Sequence, residues 1–287
     1  MKKFTIYCVL LSFLFIFTGC KQEDGTQILA TTKPVYEFAT ILCEGTPLKV
    51  DLLISENVSC LHDYTLQVNQ MRKLESAELI IINGAGFEDF LADALPDDSR
   101  IIDCSANIEL HCAHSHSHDS HTHENDPHIW LSIDNGRKMA EDIYAGLCKN
   151  NPEYTDTFTS NFAKLIGKFD TLSENAQVLN ELRCRELITF HDGFAYFADS
   201  LDLHIIKAIE EESGSEASAQ ELISIIQDIK VHNLPAIFAE VSSSSAAASI
   251  IRAETGVQVY ALDMALSERS YFDAMEHNIK TLKEALG

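Results

Sequence analysis

The residues of this chain that could bind a metal fall into two groups. Between residues 111 and 123 histidine alternates with small polar residues, which is typical of imidazoles on an open loop. The second group consists of His62, His128, His191 and Asp263, which lie at or near the ends of predicted strands and loops. Three imidazoles and one carboxylate suit zinc, which takes nitrogen ligands in tetrahedral geometry, whereas manganese favours more oxygen.

The elements that would position the second group alternate along the chain. Short apolar runs predict strands at Ile28–Thr31, Val50–Ile54, Leu79–Ile82, Arg100–Asp103, Glu186–Phe190, His204–Ile209, Ala236–Ala239 and Gln258–Ala261. Amphipathic segments between them predict helices, including one at Phe87–Leu95. This alternation predicts an α/β fold with mostly parallel sheets covered on both faces. Ligands of such sheets bind beyond the carboxyl ends of the strands, where His62, His191 and Asp263 are expected.

One helix is longer than the others. Apolar residues recur every three or four positions from Tyr154 to Leu179, which predicts a continuous helix of about thirty residues over 151–181. Such a helix would hold two lobes at a fixed spacing, although Gly167 leaves two shorter helices as an alternative. The predicted organisation is a signal peptide over 1–19, a lipidated tether over 20–27, an N-terminal lobe over 28–150 with a His-rich loop at 111–125, the connecting helix over 151–181 and a C-terminal lobe over 182–287.

The first twenty residues indicate export. A short basic start is followed by an apolar run too short to span a bilayer, and the run ends in Phe17-Thr18-Gly19-Cys20, which resembles a bacterial lipobox. We therefore expect lipidation of Cys20, with a plain secretory signal or an uncleaved anchor as the alternative. The later cysteines contain no CxxC pair, and the sequence leaves their pairing open between free thiols and one or two disulfides.

The net charge of −23 excludes nucleic acid as an expected partner, because phosphate binding needs clustered Lys and Arg. The same charge produces a favourable field for cations.

Several motifs resemble those of one protein family. They are Cys60-Leu61-His62-Asp63-Tyr64, Asn83-Gly84-Ala85-Gly86-Phe87-Glu88, Asp126-Pro127-His128-Ile129-Trp130-Leu131-Ser132, Phe190-His191-Asp192-Gly193-Phe194-Ala195-Tyr196-Phe197 and Ile237-Phe238-Ala239-Glu240. In this order they look like the metal-binding solute-binding proteins of ABC transporters, and most closely the zinc-specific branch. The resemblance implies two (β/α) lobes joined by a long rigid helix, with one metal in the cleft between the lobes.

Carried over residue by residue, the resemblance implies His62, His128, His191 and Asp263 as the metal ligands. The manganese and iron branches are expected to carry glutamate at the position of His191, so the histidine favours zinc. Two departures from the family pattern stand out. Leu61 replaces the usual proline before the first ligand, with Cys60 close enough for a thiolate contact, and Glu212-Ser213-Gly214-Ser215 replaces an acidic-proline run.

The histidine run precedes the second ligand motif, where zinc-branch members often carry a His-rich loop. The accessory metal-binding residues are predicted to be His111, His114, His116, His118, His121 and His123. Their expected role is transient capture of zinc and transfer to the cleft. The alternative is a solvated loop whose histidines have no function.

The sequence therefore predicts a monomeric, lipid-anchored, extracytoplasmic protein that captures zinc and delivers it to an ABC permease with its ATPase. No enzyme activity is expected, because four protein ligands would leave no open coordination position. Three alternatives remain. One is manganese or iron on the same scaffold. Another is a zinc-dependent hydrolase with Asp192 or Glu240 as base, although no HExxH motif is present. The third is a surface adhesin.

Overall fold

The computed structural model describes residues 27–55, 64–95, 98–112, 125–210, 218–241 and 246–287. Cys20, Cys60, His62, residues 113–124 and the segment Glu212–Ser215 lie outside these ranges. The expectations that concern them therefore remain predictions.

The N-terminal lobe is built on a four-stranded parallel sheet. Its strands are β1 (Ile28–Ala30), β2 (Val50–Leu52), β3 (Leu79–Ile82) and β4 (Ile101–Asp103), and its helices are α1 (Lys33–Cys43), α2 (Val68–Ser76) and α3 (Ile133–Asn150). The strands lie in the order β2-β1-β3-β4, and all pairs are parallel. The two central strands are almost fully buried, as expected for a sheet covered on both faces.

The connecting helix α4 (Thr155–Ala176) follows this lobe. Short 3₁₀ turns at Pro152–Tyr154 and Gln177–Glu181 extend it at both ends. Its 22 α-helical residues span about 33 Å at 1.5 Å per residue. Gly167 does not break the helix, and a methyl group there would meet no atom within 4 Å. The prediction of one long helix is confirmed, with a shorter α-helical part than expected.

The C-terminal lobe repeats the arrangement. Its strands are β5 (Glu186–His191), β6 (His204–Glu210), β7 (Ala236–Glu240) and β8 (Gln258–Leu262), and its helices are α5 (Ala195–Ser200), α6 (Ala219–His232), α7 (Ala246–Thr255) and α8 (Tyr271–Leu286). The strand order β6-β5-β7-β8 matches the N-terminal order β2-β1-β3-β4, because in both lobes the second strand lies at the edge beside the first, and the third and fourth follow on the other side. The predicted α/β architecture of two lobes is confirmed.

The α-helix predicted over Phe87–Leu95 is wrong. The structure has turns on either side of one 3₁₀ turn at Asp89–Leu91. Gly84, Ala85 and Gly86 all have positive φ values (81°, 55° and 87°), so the chain turns sharply just before the segment. The Glu88 carboxylate accepts hydrogen bonds from the backbone N–H groups of Asn83 and Gly84, which fixes this tight turn.

Buried aromatic residues join the two lobes through the connecting helix. Helix α4 packs on α1 of the first lobe and on α8 of the second. At this junction Phe38 contacts Phe169 and Tyr271 edge-on, with ring centroids 5.5 and 4.8 Å apart. The Tyr271 hydroxyl donates to the Trp130 carbonyl (2.8 Å), and the Trp130 indole N–H donates to the Met264 carbonyl (2.7 Å). These buried bonds tie the loops of the two lobes together.

Two further observations concern the helices and the cysteines. Among the described residues no helix is both long and apolar enough to cross a membrane. Five cysteines in the described ranges carry free thiols, namely Cys43, Cys104, Cys112, Cys148 and Cys184.

Candidate metal centre

His128 is held by a carboxylate two residues before it. Asp126 Oδ1 accepts from the backbone N–H of His128 (2.9 Å) and lies 2.8 Å from its ring Nδ1. The loop is fixed from outside as well, because the Asn83 side-chain amide donates to the Pro127 carbonyl (3.0 Å). The side chain of His128 is 3% exposed, so its ring has a single defined position.

His191 is held across the sheet of the other lobe. It is the last residue of β5, and Glu240 is the last residue of β7. The register pairs Thr189 with Phe238, which places His191 opposite Glu240 two residues further on. His191 Nδ1 lies 3.3 Å from Glu240 Oε1, and both side chains are 9% exposed.

The two imidazoles meet between the lobes. Their Nε2 atoms are 3.3 Å apart, and the ring planes are nearly perpendicular at 88°. A neutral imidazole whose Nδ1–H faces a carboxylate presents a lone pair at Nε2. Two such lone pairs facing each other at 3.3 Å repel unless a proton or metal ion lies between them. Two nitrogens bound at about 2.0–2.1 Å to one tetrahedral zinc are about 3.3–3.4 Å apart.

A glycine makes this close approach possible. A methyl group on Gly193 would lie 2.8 Å from Cδ2 of both His128 and His191, and 2.7 Å from Cε of Met264. Aromatic rings close the other side of the pair, since the centroids of Trp130 and Phe87 lie 5.3 and 6.0 Å from that of His128. The site is therefore tightly packed and largely shielded from water.

Asp263 directly follows β8, and its side chain is 1% exposed. Its Oδ1 accepts from the backbone N–H of Ala265 (2.9 Å). Its Oδ2 accepts from the Ser267 hydroxyl (2.7 Å) and from the Arg269 guanidinium (2.8 Å). The next residue, Met264, is the one that packs against Gly193 near both imidazoles.

The structure brings together two of the four predicted ligands, His128 and His191. His62 lies outside the described residues. Within the described ranges no group of three or more His, Cys, Asp or Glu side chains is arranged to hold a metal. The complete ligand set thus remains a prediction.

The base of the histidine run lies against the C-terminal lobe. Cys112 and Asn125 form an antiparallel bridge, and the His111 carbonyl accepts from the Asp126 N–H (2.9 Å). The His111 ring stacks on Tyr196 at 4.1 Å, and the tyrosine hydroxyl donates to the Asp126 carbonyl (3.1 Å). The two ends of the run are therefore joined directly beside the loop that carries His128. The other accessory histidines lie outside the described residues.

The buried carboxylate of Glu88 stabilises the loop after β3 in the N-terminal lobe. Glu88 accepts from the Thr31 hydroxyl (2.6 Å) as well as from the amides of Asn83 and Gly84 (2.7 and 3.0 Å). Burial raises the pKa of Glu88 to about 7 because desolvation penalises the charged form more than these bonds favour it. Through Asn83 this frame is connected to the loop before His128.

Comparison with known proteins agrees with this architecture. The family model described as "ZnuA: Zinc-uptake complex component A periplasmic" matches residues 28–285. The chain belongs to this zinc-uptake family. The family is one of periplasmic, metal-binding transporter components that work with ABC transporters, and its members are not enzymes.

Individual relatives are distant in sequence but match nearly all of this chain. A protein of Treponema pallidum named for metal binding is 26% identical over 99% of this chain and 97% of its own. The zinc-binding lipoprotein AdcA of Streptococcus pneumoniae is 28% identical over 99% of this chain, which spans only 61% of AdcA. A crystal structure of ZnuA superimposes with a TM-score of 0.78 at 28% identity, over 91% of this chain and 100% of that one.

Sequence reasoning missed the residues that hold the predicted ligands His128 and His191. Asp126 could have been found from its spacing, because a carboxylate two residues before a histidine can bond both the backbone and the ring. Glu240 was considered as a catalytic base, whereas it pairs with the His191 ring. Arg269 and Gly193 gave no local signal, because the first contact depends on how one loop folds back on itself and the second on loops that are distant in sequence.

Proposed function

We propose that this protein captures zinc outside the cytoplasmic membrane and delivers it to an ABC permease with its ATPase. The observation that carries the proposal is the facing pair His128 and His191, whose Nε2 atoms are 3.3 Å apart while each Nδ1 lies next to a carboxylate. Nitrogen ligands at this spacing favour zinc over manganese, which prefers oxygen. His62 and Asp263 complete the proposed ligand set.

The proposed setting is a monomer anchored through lipidated Cys20. The lipobox-like Phe17-Thr18-Gly19-Cys20 supports this anchor, and the lipoprotein name of one relative agrees with it. The histidine run is proposed to bind zinc transiently and transfer it to the cleft, because its two ends are hydrogen-bonded beside the loop that carries His128.

Zinc titration calorimetry on the soluble chain without residues 1–20 tests the function. We expect one tight site that weakens by about 100-fold or more in His191→Ala, because one lobe then offers no imidazole. His232→Ala is the matched control, since His232 also pairs with a glutamate (Glu186, 3.1 Å) but lies on the surface of α6. The tight site should persist in this control.

Two further titrations separate the parts of the proposal. Deleting residues 113–124 keeps the bridged residues Cys112 and Asn125 and should leave the tight zinc site intact. Loss of the tight site in this deletion would assign tight zinc binding to the histidine run instead. Competition with manganese should leave zinc bound. Displacement of zinc by equimolar manganese would overturn the zinc assignment and support the alternative metal.

A further inference from the structure

The Asp263 carboxylate is buried and already has a cation beside it. Its side chain is 1% exposed, and its charge is balanced by Arg269, whose guanidinium nitrogen lies 2.8 Å from Oδ2. A buried carboxylate without a partner is strongly unfavourable, so this arginine is needed as long as no other cation is near.

The backbone around Asp263 is fixed, so the carboxylate cannot easily turn away. The Asn278 side chain accepts from the Asp263 N–H (2.7 Å) and donates to the Asp263 carbonyl (2.8 Å). Asn278 itself is fully buried in α8. The Ala265 N–H holds the other carboxylate oxygen, and Ala265 has the unusual φ of 59° that this tight loop requires.

Arg269, in contrast, lies at the surface, and its side chain can rotate into solvent. Its side chain is 40% exposed, and its guanidinium can be hydrated as soon as it swings outward. The two members of the pair therefore differ in mobility, since one is fixed in the interior and the other lies at the surface.

The loop that carries this pair adjoins the imidazoles. The Met264 side chain and the rings of His128 and His191 all lie close to Gly193, and the Met264 carbonyl accepts from the Trp130 indole. Lys33 of the other lobe also donates to the Ser267 carbonyl in the same loop. In the proposed ligand set Asp263 and these imidazoles bind one ion, so the cation would meet the charge that Arg269 neutralises.

We propose that Arg269 is an internal counter-ion that competes with the metal for Asp263. In the metal-free protein the guanidinium neutralises the carboxylate, and on loading the metal replaces it while the arginine moves into solvent. The arginine then returns when the metal leaves, which weakens binding and assists release. This inference rests on the proposed function and adds a determinant of affinity to it.

The test is Arg269→Gln, measured as zinc affinity and as melting temperature with and without zinc. Removal of the competitor should tighten zinc binding by about tenfold, the effect of about 1.4 kcal/mol of competition. The metal-free protein should melt about 3–8 °C lower, because Asp263 then lacks a counter-ion. With saturating zinc this difference should largely disappear, since the metal supplies the charge.

Arg137→Gln is the matched control. Arg137 bonds Asp170 at the same 2.8 Å, but between α3 and α4, away from the metal centre. Its melting temperature should change equally with and without zinc, and its zinc affinity should stay unchanged. Arg269→Lys keeps the charge and should behave more like the native protein, which provides a second variant if the glutamine variant folds poorly.

Unchanged or weaker zinc binding in Arg269→Gln would overturn the proposal, because the arginine would then be neutral toward the metal or needed to orient Asp263. A melting difference that persists in saturating zinc would also contradict it. These outcomes differ from those that would contradict the proposed function. That function would fail if the native chain had no tight zinc site, or if the tight site persisted in His191→Ala.

Discussion

The two lobes share one strand order, yet the same place in each sheet is used differently. In both sheets the order reverses between the first and third strands, and crevices at such points bind ligands. In the C-terminal lobe this point holds His191 and Glu240, a carboxylate beside an imidazole that is predicted to bind the metal. In the N-terminal lobe it holds Thr31 and Glu88, a carboxylate that bonds a hydroxyl and backbone amides.

One topology can therefore place either a predicted metal ligand or a structural carboxylate at the same point of the sheet. The C-terminal sheet presents its imidazole directly from a strand end. The N-terminal lobe places its imidazole on a loop, so that it needs additional bonds from Asn83 and Asp126 to reach the same precision. We expect the N-terminal ligand to depend on more residues than the C-terminal one.

Among changes outside the imidazoles themselves, the largest effect is expected for Gly193→Ala, which acts on the imidazoles of both lobes at once. The methyl group would lie 2.8 Å from each ring, and relieving such overpacking costs about 1–3 kcal/mol. If the imidazoles move apart to relieve it, zinc affinity falls by about 5- to 150-fold. Calorimetry would measure this loss.

Gly167→Ala is the matched control, because a methyl group there meets no neighbouring atom in α4. Replacing an exposed helical glycine by alanine should leave affinity unchanged and stabilise the fold by about 0.5–1 kcal/mol. Equal zinc affinities for both alanine variants would show that Gly193 does not set the imidazole spacing.

The second prediction contrasts Asp126→Asn with Glu240→Gln. Carboxylates that orient metal-bound histidines contribute about 10–100-fold in affinity. Asp126 should lie at the upper end, since it bonds both the ring and the backbone of His128, and Glu240 at the lower end. Zinc titrations of both variants measure the ratio.

Glu186→Gln removes the carboxylate from the surface pair with His232 and should leave zinc affinity as it is. A greater loss in Glu240→Gln than in Asp126→Asn would reverse the expected dependence of the two lobes.

The smallest effect on zinc binding is expected for substitution of Glu88, which should instead alter how the free energy of unfolding depends on pH. Its folded pKa is about 7, above the ordinary value of 4.5, so the folded protein binds more protons than the unfolded chain between these pH values. The free energy of unfolding should therefore fall as pH rises from about 4.5 to 7, by up to about 3 kcal/mol from this group, and then level off. Denaturant titrations of the metal-free protein at several pH values measure the slope.

Glu88→Gln has no such titration, so its stability should vary less with pH over this window. It places a side-chain N–H₂ opposite the Gly84 N–H, so we also expect a constant loss of about 1–3 kcal/mol. An unchanged pH slope in the variant would show that another group is responsible.

Much of the fold could be predicted because each element carries its own periodicity. The strands and the long helix follow from local apolar patterns. The position of His191 followed from the end of a predicted strand, and its proximity to His128 from the family resemblance. The segment after Phe87 could not be predicted, because the Glu88 carboxylate and three residues with positive φ override its helical pattern. The Arg269 contact with Asp263 was equally hidden, since it depends on a loop folding back over six residues. The role of His62 stays a prediction.

The bonds of Trp130 also bear on how long cargo remains bound. Separating the lobes would break its indole bond to Met264 and its carbonyl bond to Tyr271, and would expose these groups to water. At about 0.5–1.5 kcal/mol net for each bond, the two bonds together disfavour the separated arrangement by about 5- to 150-fold. We therefore expect release of a bound ion to depend on movement of side chains at the cleft or on an encounter with a partner, rather than on separation of the lobes.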